Sequence, residues 1–338
     1  MPLWIWVGFF ALVAGLLALD LGVLNRRAHV IGLREALGWT AFWVSLALAF
    51  NVLVYFIYEN RWGGAGDGAG GRATSGWEAA VLFFNGYLLE ESLSMDNMFV
   101  IALIFAYFRV PGEYQHRTLF WGIVGALMLR GVMIGAGTAL AHRFAWMMYV
   151  FGLILVASAV KMLLIGEQQV DPGRNPLVRL TRRLFPVAAG FQGQQFFTRL
   201  DGRRAITPLL LVLLMVESAD AVFAVDSIPA ILGVTTDPFL VMTSNAFAIL
   251  GLRSLFFALS AILDKFRYLK VSLVLVLIFI GVKMILGCQT WELLKIPTSL
   301  SLAVVVAILA IGVAASMVRG PGPGAPGPAG GDRDAPRP

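Results

Sequence analysis

Long apolar stretches separated by short polar segments dominate this chain. Nine of them approach or exceed the roughly 20 residues that a helix needs to cross a bilayer: 3–24, 36–58, 77–107, 118–140, 144–166, 207–230, 239–263, 269–287 and 297–318. They predict an all-α fold, a polytopic membrane helix bundle of about nine spans. The first stretch has no basic residue ahead of it and is followed by Arg26 and Arg27. Those flanks mark a retained span rather than a cleaved signal peptide. An N-terminal helix pair is expected over 1–59. The Gly-rich 60–76 and the Arg-, Pro- and Gln-rich 167–206 read as loops. Residues 319–338, almost entirely Gly, Pro, Ala and Arg, cannot bury an apolar face and are expected to be disordered.

Composition agrees: 59% of residues are apolar and only 14% are charged, against about 25% charged in soluble domains. The net charge of +6 raises the question of nucleic acid, and the placement of the basic residues answers it. With nine spans, 18 of them fall on one side and four (Arg61, Arg72, Arg143, Lys295) on the other. The crowded side is cytoplasmic by the positive-inside rule. The N-terminus is therefore expected outside and the C-terminus inside, in a bacterial inner membrane. The lipid bilayer, not nucleic acid, is the partner that this charge fits. A single cysteine, Cys288, excludes an intrachain disulfide and any cysteine-ligated cluster. The histidines at 29, 116 and 142 lie in short inter-span segments.

The spans contain an internal repeat. Ser94-Met95-Asp96-Asn97 answers to Ala224-Val225-Asp226-Ser227, Leu129-Arg130 to Leu252-Arg253, and Val160-Lys161-Met162 to Val282-Lys283-Met284. The two units, 77–166 and 207–287, have three spans each, so consecutive copies run in opposite senses across the membrane. Inverted repeats of this kind build transporters, with the site near the midplane where the copies meet.

Chemistry is concentrated in two of these spans. The third carries Glu90, Glu91 and Asp96; the sixth carries Glu217, Asp220 and Asp226. Six ionised carboxylates facing lipid would cost roughly 15–20 kcal/mol on an additive insertion scale, so they must face the bundle interior. Two readings are open. In one, the acids are structural, either neutral or paired with Arg130 and Arg253. In the other, they bind cations. Glu217 and Asp220 share a helix face, whereas Asp226 lies about half a revolution away from Glu217. Pro229 removes a donor to the Val225 carbonyl, and Ser92 and Ser94 sit within the other cluster. Two broken helices, with carboxylates and freed carbonyls converging, are the expectation. The donors are oxygen: carboxylates, the Asn97 amide and the Ser94 and Ser227 hydroxyls. Such a set suits Mg²⁺, Ca²⁺ and Mn²⁺. Met95 and Met98 lie beside it and are more often packing residues than ligands. Asn245, Asn51 and Asp20 are candidate supporting groups, Asp20 equally an interfacial residue.

The segment Glu90-Glu91-Ser92-Leu93-Ser94-Met95-Asp96-Asn97-Met98-Phe99-Val100 resembles the first signature of the TerC family. Glu217-Ser218-Ala219-Asp220-Ala221-Val222-Phe223-Ala224-Val225-Asp226-Ser227-Ile228-Pro229-Ala230 resembles the second, and Asn245 with Gly251-Leu252-Arg253 also matches. The resemblance covers about residues 1–318. The family is named for tellurite resistance, its Alx-like branch is associated with manganese export, and it belongs with the LysE-type transporters. What this implies is efflux of Mn²⁺ through a site made by Glu90, Asp96, Glu217, Asp220 and Asp226. Asn97 would be a further ligand, and Glu91, Ser94, Ser227, Asn245, Arg130 and Arg253 would support it.

The leading expectation is thus a secondary transporter, not an enzyme, exporting a divalent cation. Mn²⁺ comes first, with Ca²⁺ and Mg²⁺ open, and no organic cofactor is expected. Carboxylates exchange cations for protons without further chemistry. No phosphate-binding Gly-x-x-x-x-Gly-Lys loop is present. An intramembrane enzyme of the presenilin-like kind would need a Tyr-Asp and a membrane-embedded Gly-Asp pair, and a zinc protease a His-Glu-x-x-His motif; the sequence has none of these. A scaffold for stress-resistance partners, docked on the basic 167–206 segment, is the alternative, although that segment suits anionic lipid equally.

The orientation is directly testable. Cysteines introduced at Gln192 and at Ala329 are expected to resist an impermeant thiol reagent in intact cells. Labelling of either from outside would overturn the nine-span arrangement.

Overall fold

The computed structural model describes residues 1–19, 32–66, 74–144, 146–165, 175–200, 202–260, 269–287 and 297–319. These form a polytopic helical membrane protein. The helices are α1 (Leu3–Leu19), α2 (Leu33–Glu59), α3 (Gly76–Phe108), α4 (Gly112–Arg143), α5 (Met147–Ile165), α6 (Pro176–Leu184), α7 (Pro208–Leu232), α8 (Pro238–Ser260), α9 (Leu269–Gly287) and α10 (Thr298–Arg319). Every apolar stretch in the sequence has become a helix. By length and apolarity α2, α4, α5, α7, α8 and α10 suffice to cross a membrane. The 17 residues of α1 span about 26 Å at 1.5 Å per residue, close to the hydrocarbon thickness. The longest helix, α3, has 33 residues and contains Glu90, Glu91 and Asp96. The Gly/Pro tail beyond 319 and Asp20 lie outside the described residues.

Local sequence fixes the ends. Ser75 caps α3, its Oγ accepting the Glu78 N–H at 3.1 Å. Arg109 ends that helix in the left-handed region at φ 52°. Asp237 caps α8 by accepting the Phe239 N–H at 2.9 Å. Its other oxygen accepts the Tyr58 hydroxyl at 2.7 Å, which locks the end of α2 to the start of α8. From Phe239 to Ser254 every residue of α8 is buried. It is the central helix, with α2, α3 and α4 packed around it. Phe50 of α2 and Phe247 of α8 meet at 4.5 Å between ring centroids, with Phe83 of α3 against both. Large apolar side chains that remain exposed, such as Met128, Val132 and Leu164, face outward, as lipid-facing positions do.

Contacts give the relative directions of the helices. Asn97 meets Asp220 and Gly86 meets Ile231, so α3 and α7 are antiparallel. Gly122 meets Val216 and Gly137 meets Leu232, so α4 and α7 are parallel. Gly86 meets Ser244 and Phe105 meets Phe256, so α3 and α8 are also parallel. Gly152 of α5 and Gly281 of α9 touch reciprocally. A Cβ on Gly152 would lie 2.8 Å from the Gly281 carbonyl oxygen, and a Cβ on Gly281 would lie 2.9 Å from that of Gly152. Exchanging α3-α4-α5 for α7-α8-α9 maps this set of contacts onto itself. In α5 and α9 the reciprocal pairing of Gly152, Leu155 and Val156 with Gly281, Met284 and Ile285 differs from the sequence match of Lys161 with Lys283. Packing at that crossing follows the glycines, which admit close backbone approach, and not the Val-Lys-Met triplets.

Two expectations need correction. The spans with the carboxylates are not broken: α3 and α7 are each continuous. Pro229 sits in the last turn of α7, where it withdraws one helical hydrogen bond, and its own carbonyl still accepts the Gly233 N–H at 2.9 Å. The serines bond back into the intact helix, Ser92 Oγ to the Leu88 carbonyl and Ser218 Oγ to the Leu214 carbonyl, both at 2.6 Å. The second correction concerns 167–206, read as a loop. It contains α6 and a hairpin of β1 (Phe197–Leu200) and β2 (Arg203–Ile206). The hairpin turns through Gly202 at φ 79°, the positive φ that a two-residue turn demands.

The α5–α9 crossing yields a stability test. Gly152→Val is expected to lower the melting midpoint in detergent, by overpacking worth about 1–3 kcal/mol. Gly8→Val, where a side chain meets nothing within 4 Å, is expected to leave it unchanged. Equal midpoints for both variants would show that the crossing is not close-packed.

Candidate functional site

The two acidic clusters meet at one arginine. Arg130 of α4 is 1% exposed, Glu90 of α3 0% and Asp220 of α7 6%. The guanidinium grips Asp220 with two bonds, Nη2 to Oδ1 at 2.6 Å and Nε to Oδ2 at 3.1 Å. Its Nη1 pairs with Glu90 Oε1 and donates to Ser227 Oγ at 3.2 Å. Asn97 Nδ2 donates to Asp220 Oδ1 at 3.0 Å, and Ser94 Oγ donates to Glu90 Oε1 at 3.5 Å. Such two-pronged, charge-assisted bonds are the strong kind. Removing one partner of a buried pair strands the other charge.

The chain supplies these groups through helix periodicity. Asn97 lies about two turns beyond Glu90 on α3, and Ser227 about two turns beyond Asp220 on α7. Because the helices are antiparallel, Glu90 stands level with Ser227 and Asn97 level with Asp220. Glycines on α4 give room for the approach. Gly122 faces Val216, and Gly125 lies directly against the Glu217 carboxylate, where a Cβ would overlap it.

Two oxygens of the cluster have no hydrogen-bond partner although buried: Glu90 Oε2 and Asn97 Oδ1. Asn97 and Asp220 also line a cavity of about 20 Å³ among Ile101, Gly122, Ala126 and Ile249. That is room for one small occupant of water size.

The remaining candidates make other contacts or are less buried. Asp226 is half-buried and its Oδ1 accepts Ser158 Oγ of α5 at 2.5 Å. Six residues past Asp220 on an unbroken helix, it faces a different neighbour from Asp220. Asp96, Glu91 and Glu217 are half-buried, and Glu91 Oε2 has no partner. Arg253 is buried on α8, with Nη1 2.8 Å from His116 Nε2. Asn245 is buried with its Nδ2 unbonded, and Asn51 is half-buried with its Oδ1 unbonded. Of the five acids expected at the site, the structure joins Glu90 and Asp220 through Arg130, and Asp226 bonds to Ser158 instead. Among the described residues no group of three or more acidic, histidine or cysteine side chains is arranged to hold a metal. Between Glu90 and Asp220 the positive charge is the guanidinium of Arg130.

Sequence reasoning missed Ser158, His116 and Asn85. Asn85 of α3 is 1% exposed with both side-chain polar atoms unbonded. The available signal for Asn85 and Ser158 was the one that exposed the acids, a polar residue inside an apolar span.

Residues 75–321 match the family described as integral membrane protein TerC family. An uncharacterized membrane protein of Myxococcus xanthus is 49% identical over 301 residues, covering 89% of this chain and 88% of its own. The proteins named putative membrane-bound redox modulator Alx of Salmonella typhi and of Escherichia coli (strain K12) are 43% and 42% identical over 303 residues. These alignments cover 89% of this chain and 90% of theirs. No solved structure matches.

The ion network makes a testable claim about charge. Arg130→Gln leaves two buried acids without their cation and is expected to destabilise the protein by about 3–5 kcal/mol. Adding Asp220→Asn removes one stranded charge and is expected to recover part of that loss. A double variant no more stable than Arg130→Gln alone, in thermal unfolding in detergent, would show that these charges are not coupled.

Proposed function

The chain belongs to the TerC family of integral membrane proteins, and from that premise we propose that it exports a divalent cation, Mn²⁺ foremost, through the Glu90–Asp220 pair. The observation that carries this reading is that acids from two antiparallel helices converge on one buried positive charge. An anionic oxygen site in the bundle interior already accommodates a cation, and that cation is tethered. When Arg130 withdraws, two negative charges and the Asn97 and Ser227 oxygens remain, a donor set of the hard kind that Mn²⁺, Mg²⁺ and Ca²⁺ take. Exchange of Arg130 for a divalent ion keeps the site from standing empty and doubly charged. Proton exchange at the same carboxylates gives a route to coupling.

The packing supports a transport cycle. Helices α3-α4-α5 and α7-α8-α9 exchange contacts as two inverted units do, and such units rock against each other about a central site. The half-buried Asp96, Asp226 and Glu217 offer oxygen acceptors along the same two helices. The Alx relatives are named redox modulators; in this chain the one cysteine, Cys288, provides no intrachain dithiol couple.

Proteoliposomes of known orientation, assayed with a panel of divalent metals, test the reading. Mn²⁺ flux is expected, reduced more than about tenfold by Glu90→Gln or Asp220→Asn, the loss that 1.4 kcal/mol of lost stabilisation represents. Variants with normal abundance and wild-type flux would remove these residues from the pathway. Absence of flux for every metal would remove the transport reading itself.

A further inference from the structure

One surface lies outside the proposed pathway. Helix α6 follows Asn175, whose Oδ1 accepts the Leu177 and Val178 N–H groups at 3.0 and 3.1 Å, and Pro176 takes the first helical position. Its sequence is Pro-Leu-Val-Arg-Leu-Thr-Arg-Arg-Leu. At 3.6 residues per turn Leu177, Leu180 and Leu184 fall on one face and Arg179, Arg182 and Arg183 on the other. Only Val178 is buried in the protein. It joins a cluster that includes Ile206 of β2, Leu209 at the start of α7 and Val110 between α3 and α4, and α6 packs against α7. Lying just before the hairpin that leads into α7, α6 sits at the level where membrane-crossing helices end and begin.

At that level the leucine face has no cover among the described residues. Leu180 is 53% exposed and Leu184 65%, with Leu177 and Phe185 exposed beside them. All three arginines are exposed. Arg199, Arg203 and Arg204 of the neighbouring hairpin are exposed too, so this end of the bundle presents a basic surface. The hairpin base is held to α4 by Arg117, whose Cζ stacks 5.3 Å from the Phe196 ring centre.

We infer that α6 is an in-plane membrane helix that binds anionic phospholipid, its leucines in the acyl boundary of the adjoining leaflet and Arg182 and Arg183 on lipid phosphates. The occupant follows from position and charge. A helix with leucines on one face, arginines on the other and low net hydrophobicity lies in the interface plane. The bilayer surrounding the spans is the apolar phase available at that depth. Each arginine near such a surface strengthens its attraction to anionic lipid by about fivefold. The inference is independent of the transported ion.

The full chain, with Cys288→Ser and a polarity-sensitive fluorophore at either Leu180→Cys or Arg183→Cys, is reconstituted into two kinds of vesicle. One is phosphatidylcholine alone, the other phosphatidylcholine mixed with phosphatidylglycerol, each with doxyl lipids spin-labelled at a shallow acyl position. The Leu180 probe is expected to be quenched strongly and the Arg183 probe weakly. Quenching at Leu180 is expected to rise with phosphatidylglycerol, and Arg182→Gln with Arg183→Gln to abolish that rise. Equal quenching at both positions, or none at Leu180 in either vesicle, overturns the inference. So does a Leu180 probe that is shielded only when other membrane proteins are present, which would make the leucine face a protein-docking surface.

Discussion

The helical core depends on one constraint: a guanidinium and two carboxylates taken out of water must satisfy one another. Desolvation of each ion costs several kcal/mol, and only close, hydrogen-bonded contact returns it. Arg130 therefore pulls α3, α4 and α7 together at one level. Neighbouring choices follow from that closeness. Gly122 and Gly125 thin the face of α4 where α7 approaches. Asn97 and Ser227 bond to the network from the two antiparallel helices. Central α8 contributes apolar bulk around it, with Ile249 and Leu252 bordering the small cavity below.

Much of this was legible in the sequence, because in lipid a backbone must satisfy its own polar groups and long apolar runs become helices. The acids were legible too, since nothing but an interior placement suits them. What they meet was harder to read. Periodicity tells which residues share a face, so Glu217 and Asp220 were correctly separated from Asp226. It does not tell which helix that face will touch. The step from unlike faces to broken helices failed on a local matter. A proline three residues from a helix end forfeits little, and serines return their hydroxyls to the i−4 carbonyl without opening the helix. Asp226 turned instead to Ser158 of α5, a partner with no sequence signal beyond being polar in an apolar span.

The repeat shows the same division. The matches around Asp96 and Asp226 lie on helices that run antiparallel and cross near Glu90, Asn97, Asp220 and Ser227. The third match drew on Lys161 and Lys283, while the close contact between α5 and α9 is made by Gly152 and Gly281. Lysines near span ends reach for the interface and so record depth rather than packing. Glycines allow two backbones to approach, which decides the register of a crossing in lipid where no hydrophobic force separates good from bad packing.

An arginine between two acids is a different object from an empty acidic site. Two buried carboxylates repel each other, and Arg130 stands between them. It also leaves Glu90 Oε2 and Asn97 Oδ1 unbonded. A purely structural network would be expected to satisfy its buried oxygens, since each orphan costs the desolvation it is not repaid for. Asn97, one of the two residues with an unbonded oxygen, lines the cavity of water size, and that suits the proposed exchange of partners at this site. The guanidinium is a bulky, monovalent, covalently held tenant. A divalent ion on the same oxygens would carry twice the charge in a smaller radius. In the proposed exchange α4 would have to move away from α3 and α7, against the close packing at Gly122 and Gly125.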